Sequence, residues 1–334
     1  MDSVEDPRNA PVLRWGILGP GWIADKFVAA LRAETMQAVV AVGSRSETRA
    51  ADFTQKWDVP AVYTSYEDLA AADDVDVIYV ATPHSHHAEH ALLAINAGKH
   101  VLVEKSFTRN GAEARQVVAA ARDRGVFCME AMWTRFLPHM VAARSLIADG
   151  ELGSVISLQA DHGQQFAFHP EHRLFNPDLA GGALLDLGIY PVSLAHYFLG
   201  LPTSFEAVAR KTSTGVDGHV GLLFDYECGA IAEVSTTLWA HTANAARITG
   251  TRGRVEIAGS AYQPSSFIFT RDDGSVVTFN KPLNHGLHFQ AVEVARRVSA
   301  GELESPLMPL DDSIAIMDLL DDIRRVIGVD YPGE

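Results

Sequence analysis

A doubly wound parallel α/β domain followed by an α+β domain on a large, mostly antiparallel open sheet is the fold class this sequence predicts. Three features predict it. Apolar runs of strand length alternate with helical spacing up to about Met132, the pattern changes to short strands from Val155, and a glycine turn follows the first apolar run directly. With 334 residues the chain exceeds what one core normally serves, so the first domain is placed at 11–132 and the second at 133–330.

The first run, ending at Leu18, breaks into Gly19-Pro-Gly21-Trp22-Ile23-Ala24 and opens into helical spacing over 22–34. Gly19 suits the tight turn out of a strand, Gly21 lets backbone approach a pyrophosphate, and Ala24 stands where helix and strand pack closely. Free N–H groups and the positive dipole end at the helix start favour an anion, so Gly19, Gly21, Trp22 and Ile23 are candidate contacts of a dinucleotide in a Rossmann domain. The runs 37–42, 75–81 and 100–103 are continuously apolar, as strands covered on both faces are. Helical spacing over 47–57, 66–72, 86–97 and 112–124 lies between and after them, with Gly98 and Gly125 placed as helix stops. The second run ends in Gly43-Ser44-Arg45-Ser46, with no carboxylate at the strand end. A guanidinium flanked by hydroxyls suits a 2′-phosphate, so Ser44 and Arg45 indicate NADP(H) as the preferred cofactor and NAD(H) as the alternative.

In the second domain the strands are read at 155–160, 206–211, 219–226, 230–238, 247–249, 254–257, 267–270 and 276–279. Glu227-Cys228-Gly229 and Asp272-Asp273-Gly274 carry hairpin chemistry, which makes the sheet largely antiparallel. Helical segments are expected at 133–148, 186–198, 288–299 and 311–326, and a long loop at 163–182 has the length of a functional one. Helices on one face leave the other to be covered. The alternating Val220, Leu222 and Phe224 are read as apolar residues of that open face, and a homodimer packed sheet against sheet is expected.

A net charge of −15 and a pI near 5.3 argue against nucleic acid as a partner and leave a small molecule. Cys128 and Cys228 stand far apart without a CxxC pattern, so neither a disulfide framework nor a metal site is indicated, and a cytoplasmic location fits. The acidic start lacks an apolar signal region and no uninterrupted apolar stretch is long enough to cross a bilayer, so no membrane is expected; the first ten residues are read as a loose arm.

Five segments carry a resemblance: Gly19-x-Gly21-x-x-Ala24; Ala81-Thr82-Pro83-His84-Ser85-His86-His87; Val103-Glu104-Lys105; Met129 to Phe136 with Trp133 and Arg135; and Gly181-Gly182-Ala-Leu-Leu-Asp186-Leu-Gly-Ile-Tyr190-Pro191. In order and spacing they resemble the glucose-fructose oxidoreductase/inositol dehydrogenase (Gfo/Idh/MocA) family across nearly the whole chain. Within it the chain is most similar to the dimeric dihydrodiol dehydrogenase and NADP-dependent D-xylose dehydrogenase subgroup. The resemblance implies hydride transfer between NADP(H) and a carbinol or carbonyl carbon of a sugar, cyclic polyol or trans-dihydrodiol. Lys105 would hold the substrate hydroxyl, Tyr190 would move its proton, and Asp186, four residues earlier on the same helical face, would hydrogen-bond the substrate or steer both, although as a bare feature it also suits an N-cap.

The same resemblance makes Thr82, Pro83, His87, Glu104, Lys105, Trp133 and Arg135 cofactor contacts. It adds Trp133 and Arg173, which stands thirteen positions before Asp186, to the substrate side. Ser106 departs from it by standing where the family usually has proline, which frees φ and adds an N–H after the lysine. That departure keeps open a catalytically silent NADP-binding regulator or sensor. A remote alternative is a zinc metallopeptidase through His86-x-x-Glu89-His90, for which no third ligand follows.

Overall fold

The computed structural model describes residues 5–334. Its first sheet is parallel, with strands β1 (Arg14–Leu18), β2 (Ala38–Gly43), β3 (Ala61–Tyr63), β4 (Val77–Val80), β5 (His100–Glu104) and β6 (Cys128–Ala131) in the order β3-β2-β1-β4-β5-β6. Helices α1 (Trp22–Glu34), α2 (Glu47–Trp57), α3 (Tyr66–Ala70), α4 (His87–Asn96) and α5 (Gly111–Arg124) alternate with them. Local chemistry sets their ends. Ser46, Ser65 and Asn110 accept the N–H groups of Arg49, Asp68 and Glu113 to start α2, α3 and α5, and Gly125 ends α5 at φ 63°. The three residues of β3 are too few to show in hydrophobic periodicity. Strand order reverses direction between β1 and β4, and open α/β sheets bind ligands outside the strand ends at such a switch.

Beyond this sheet come α6 (Pro138–Ala148), β7 (Val155–Gly163), α7 (Ile189–Leu199), β8 (Ser204–Lys211), β9 (Asp217–Asp225), β10 (Ile231–Thr237), β11 (Ala246–Gly250), β12 (Gly253–Ile257), β13 (Ser266–Arg271) and β14 (Val276–Asn280). The eight strands lie in the order β14-β13-β12-β11-β7-β10-β9-β8. All pairs are antiparallel except β7 with β10. Gly229 and Gly274, at φ 82° and 83°, make the two hairpin turns.

Two expected helices take another form. The segment 133–148 is a 3-10 turn, Trp133–Phe136, and then α6, because Leu137 is extended and Pro138 starts a new helix. The segment 186–198 begins earlier, as a π-helical turn Leu184–Gly188 that runs into α7, so Asp186 lies inside the first turn and is not its N-cap. Val220, Leu222 and Phe224 are buried, which corrects their assignment to the open face. Period two separates two faces of a strand but does not say which one the chain covers. The opposite face exposes Val208, Leu223, Ile231 and Ile268.

The last helices are α8 (His288–Ser299) and α9 (Leu310–Ile327). The described residues divide into two compact units, one holding 5–133 with His285–Met317, the other holding Thr134–Asn284 and Asp318–Glu334. This differs from one continuous second domain over 133–330. The return has a physical basis: α8 packs on α1, Leu303 accepts the Cys128 N–H at 3.1 Å, and Ser313 donates to the buried Glu130 at 2.8 Å. The described part of the first ten residues is anchored too, which corrects the loose arm. Pro7–Asn9 form a 3-10 turn capped by Asp6, and Glu5 pairs with Arg296 at 3.0 Å; residues 1–4 lie outside the described residues. Pro177–Leu199 is long and apolar enough to cross a membrane by length and composition, but 78% of its most apolar window is buried inside the protein, as a core segment is.

Candidate active site

In the first unit the β1–α1 turn separates two reasons for glycine. Gly19 takes φ +90°, and a Cβ there would come within 2.9 Å of Thr82 Cγ2 and 3.3 Å of the Ala81 carbonyl oxygen, so the fold itself requires glycine. A Cβ on Gly21 would meet nothing within 4 Å. Gly21 is the N-cap of α1 and no side chain caps that helix. Backbone N–H groups at an uncapped helix start, with space for close approach, fit a pyrophosphate. Trp22 beside them is exposed and Ile23 half-buried.

The Ser44 Oγ accepts the Ser46 N–H at 3.1 Å, which shapes the turn, and Arg45 is exposed with its guanidinium 5.8 Å from the centre of the Tyr66 ring. Tyr66 meets His90 edge to face at 4.7 Å, and His90 stacks on His86 at 5.6 Å. His90 Nδ1 bonds Thr82 Oγ1 and His86 Nδ1 bonds Ser85 Oγ, each at 2.9 Å. The pair of histidines is therefore a ring stack in the wall of this unit. No group of three or more metal-ligating side chains stands together among the described residues.

Lys105 follows β5 on a braced segment. Glu104 is buried, accepts the Tyr79 hydroxyl, and takes the Lys105 backbone N–H at 3.3 Å. Tyr79 is fixed in turn by stacking on Phe27 at 4.0 Å. His87 is buried at 1% exposure and lies between two carbonyls, Nδ1 2.8 Å from Ser106 O and Nε2 2.7 Å from Thr82 O. Burial holds its pKa down at about 4, outweighing the two carbonyls that favour the imidazolium. Pro83 is the N-cap of the short His84–His86 turn. Glu104 and His87 thus brace the segment that carries Lys105.

In the second unit Asp186 is buried, and Arg173 from the long loop reaches it at 2.8 and 3.5 Å through its two terminal nitrogens. Two residues beyond the π turn, Tyr190 is half-buried, 5.1 Å from the His162 ring and 5.3 Å from Tyr262. A π turn holds more residues than an α turn, so Asp186 and Tyr190 are not in the simple i, i+4 register expected of them. Tyr262 donates to Asp161 O at 3.0 Å, and burial pushes its phenol well above the usual range. His162 and Tyr262 carry no motif, and only the position of His162 at the head of the long loop marks it in the sequence. Trp133 is half-buried at the end of the first unit. Arg135 is 2% exposed, bonds Ser193 and His196 at 3.2 Å each, and lies against Tyr197. A guanidinium so enclosed ties the 3-10 turn to α7.

Residues 13–132 match the family described as "Oxidoreductase family, NAD-binding Rossmann fold", and residues 140–256 match the "GFO/IDH/MocA C-terminal domain". A trans-1,2-dihydrobenzene-1,2-diol dehydrogenase from Bos taurus is 36% identical over 96% of this chain and 98% of its own. The chain belongs to the GFO/IDH/MocA oxidoreductase family. Another similar member is a D-xylose 1-dehydrogenase (NADP(+)) from Hypocrea jecorina, 36% identical over 97% of this chain and 94% of its own. Among solved structures a 3-ketoreductase from Actinomadura kijaniata, in complex with TDP-benzene and NADP, matches at TM-score 0.81 with 29% identity, over 93% of this chain and 96% of that one.

Proposed function

We propose that this GFO/IDH/MocA protein is an NADP(H)-dependent oxidoreductase acting on the CH–OH carbon of a sugar, cyclic polyol or trans-dihydrodiol. The observation that carries the reading is the half-buried Tyr190, set among His162 and Tyr262 and following the buried Asp186–Arg173 pair. It comes in a chain whose other unit has an uncapped glycine turn that fits a dinucleotide. Gly19, Gly21, Trp22 and Ile23 would hold the pyrophosphate and Arg45 the 2′-phosphate. The cofactor supplies a hydride acceptor or donor when bound. The chain's own residues supply the rest. In the oxidative direction Tyr190 Oη would take the hydroxyl proton, the Lys105 ammonium would hold the hydroxyl oxygen, and Asp186 with Arg173 would orient the substrate. In reduction Tyr190 returns the proton to the carbonyl oxygen. Trp133 would border the substrate.

The exposed Val208, Leu223, Ile231 and Ile268 support a homodimer packed through the open sheet face. The acidic chain with its two separated cysteines supports a cytoplasmic location.

Turnover of NADP+ with a panel of aldoses, cyclic polyols and dihydrodiols tests the reading. Tyr190→Phe should lower turnover about a hundred- to ten-thousandfold, the range of a positioned acid/base, while NADP+ binding stays intact. Lys105→Met should be at least as damaging, and His86→Ala with His90→Ala should leave the chemistry in place. Full activity in Tyr190→Phe would sink the mechanism, and NADP+ binding without turnover of any member of the panel would favour the silent sensor.

A further inference from the structure

The helix that carries Asp186 and Tyr190 starts on a buried carboxylate from another element. Asp217, the first residue of β9, has 0% exposure, and its Oδ2 accepts the Leu184 N–H at 2.6 Å. Leu184 is the first residue of the π turn. Its N–H belongs to the set that a helix start leaves unsatisfied, and an anion there also meets the positive end of the helix dipole.

The preceding turn is shaped around this contact. Gly182 takes φ +117°, and a Cβ on it would lie 2.3 Å from Asp217 Oδ1, so residue 182 must be glycine for the carboxylate to reach the helix. The Tyr331 hydroxyl donates to Gly181 O at 2.6 Å. Arg324 of α9 lies 4.6 Å from the centre of the Tyr331 ring and is held by Asp321 and Glu334 at 2.8 Å each.

We propose that Asp217 is a positioning residue whose carboxylate sets the first turn of this helix and thereby places Asp186 and Tyr190 for the reaction. The inference rests on the roles given to those two residues above. The groups that face the Asp217 carboxylate are the backbone N–H groups of Leu184, Ala183 and Asp217 itself, Arg324 from α9, and Tyr331 from the C-terminal segment. Burial, the largest influence, raises the Asp217 pKa to about 6. A carboxylate raised in this way weakens the fold at neutral pH, so stability does not account for the charge.

Two substitutions in the full chain test this. Asp217→Asn keeps the shape and an acceptor but removes the charge, and Asp217→Ala removes the acceptor as well. Measurements are NADP+ affinity, Tm at about pH 8, kcat/KM from about pH 5 to 9, and amide hydrogen exchange across 184–190. In Asp217→Ala, exchange across 184–190 should rise and kcat/KM should fall by about tenfold, the scale of one charge-assisted hydrogen bond. In Asp217→Asn, Tm should hold or rise, NADP+ affinity should not change, kcat/KM should fall, and the decline of wild-type activity below about pH 6 should disappear. Unchanged kcat/KM and exchange in Asp217→Ala would overturn the proposal. So would a parallel loss of Tm, NADP+ affinity and activity in Asp217→Asn, which marks a merely structural residue. A wild-type chain that turns over no substrate counts against the roles of Asp186 and Tyr190, while unaltered exchange across 184–190 counts against the positioning role of Asp217.

Discussion

Burial decides the charge state of His87, and its two carbonyl partners decide its work: the ring spans Thr82 at the end of β4 and Ser106 after β5. Its folded pKa, about 4, lies below the ordinary 6.5, so the stability it carries is present above about pH 6.5 and is lost as pH falls toward 4. A shift of that size has a ceiling of roughly 3 kcal/mol. His87→Gln should therefore flatten the loss of stability between about pH 6.5 and 5 in urea titrations; an unchanged slope would refute the assignment. Asp217 works with the opposite sign, since its raised pKa withdraws stability as pH rises from about 4 to about 6. At the end of β2, Arg45→Ala should cost NADP+ about ten- to hundredfold in affinity and leave NAD+ nearly untouched, the scale of hydrogen bonds to a charged group. Equal affinities of the parent protein for the two nucleotides would remove the basis for preferring NADP+.

At the scale of elements, the glycine turn of β1–α1 separates a folding requirement from a binding one. Gly19→Ala places a Cβ at positive φ against Thr82 and the Ala81 carbonyl and should destabilise the free protein by more than about 1 kcal/mol. Gly21→Ala meets no protein atom, so calorimetry should show a free-protein stability within about 1 kcal/mol of the parent and a marked loss of NADP+ affinity. The opposite ranking would mean that α1 does not receive the pyrophosphate. The elements themselves were largely legible. α1, α2 and α8 run over the residues their periodicity predicts, because caps, glycine stops and one buried face are local signals. The π turn at Leu184–Gly188 was not legible, because a widened turn alters hydrogen bonding without altering the apolar pattern.

For the whole molecule, the eight-stranded sheet leaves Val208, Leu223, Ile231 and Ile268 in water. A homodimer that covers this face should appear in light scattering at micromolar concentration, and Leu223→Lys with Ile231→Lys should shift it to monomer without loss of NADP+ binding. A monomeric parent protein would contradict the dimer. NADP+ at about a hundred times its Kd should stabilise the fold by about 2.7 kcal/mol, and a smaller gain from NAD+ at the same concentration would follow from the Arg45 assignment.

The sequence alone determined the two sheets, the glycine turn and the strand end that presents Arg45, since each is written in residues close together along the chain, and the segments that hold Lys105, Asp186 and Tyr190 stood out by their resemblance to the family's motifs. Tertiary structure alone decided what those segments rest on. Val220, Leu222 and Phe224 face the covered side of their sheet, Arg135 is enclosed by Ser193, His196 and Tyr197, and residues 285–317 return to the first unit. Asp217 meets Leu184 across 33 residues and Tyr331 meets Gly181 across 150. Such contacts have no local period or spacing. They exist because burying one polar group obliges the fold to bring it a partner from wherever the chain can supply one.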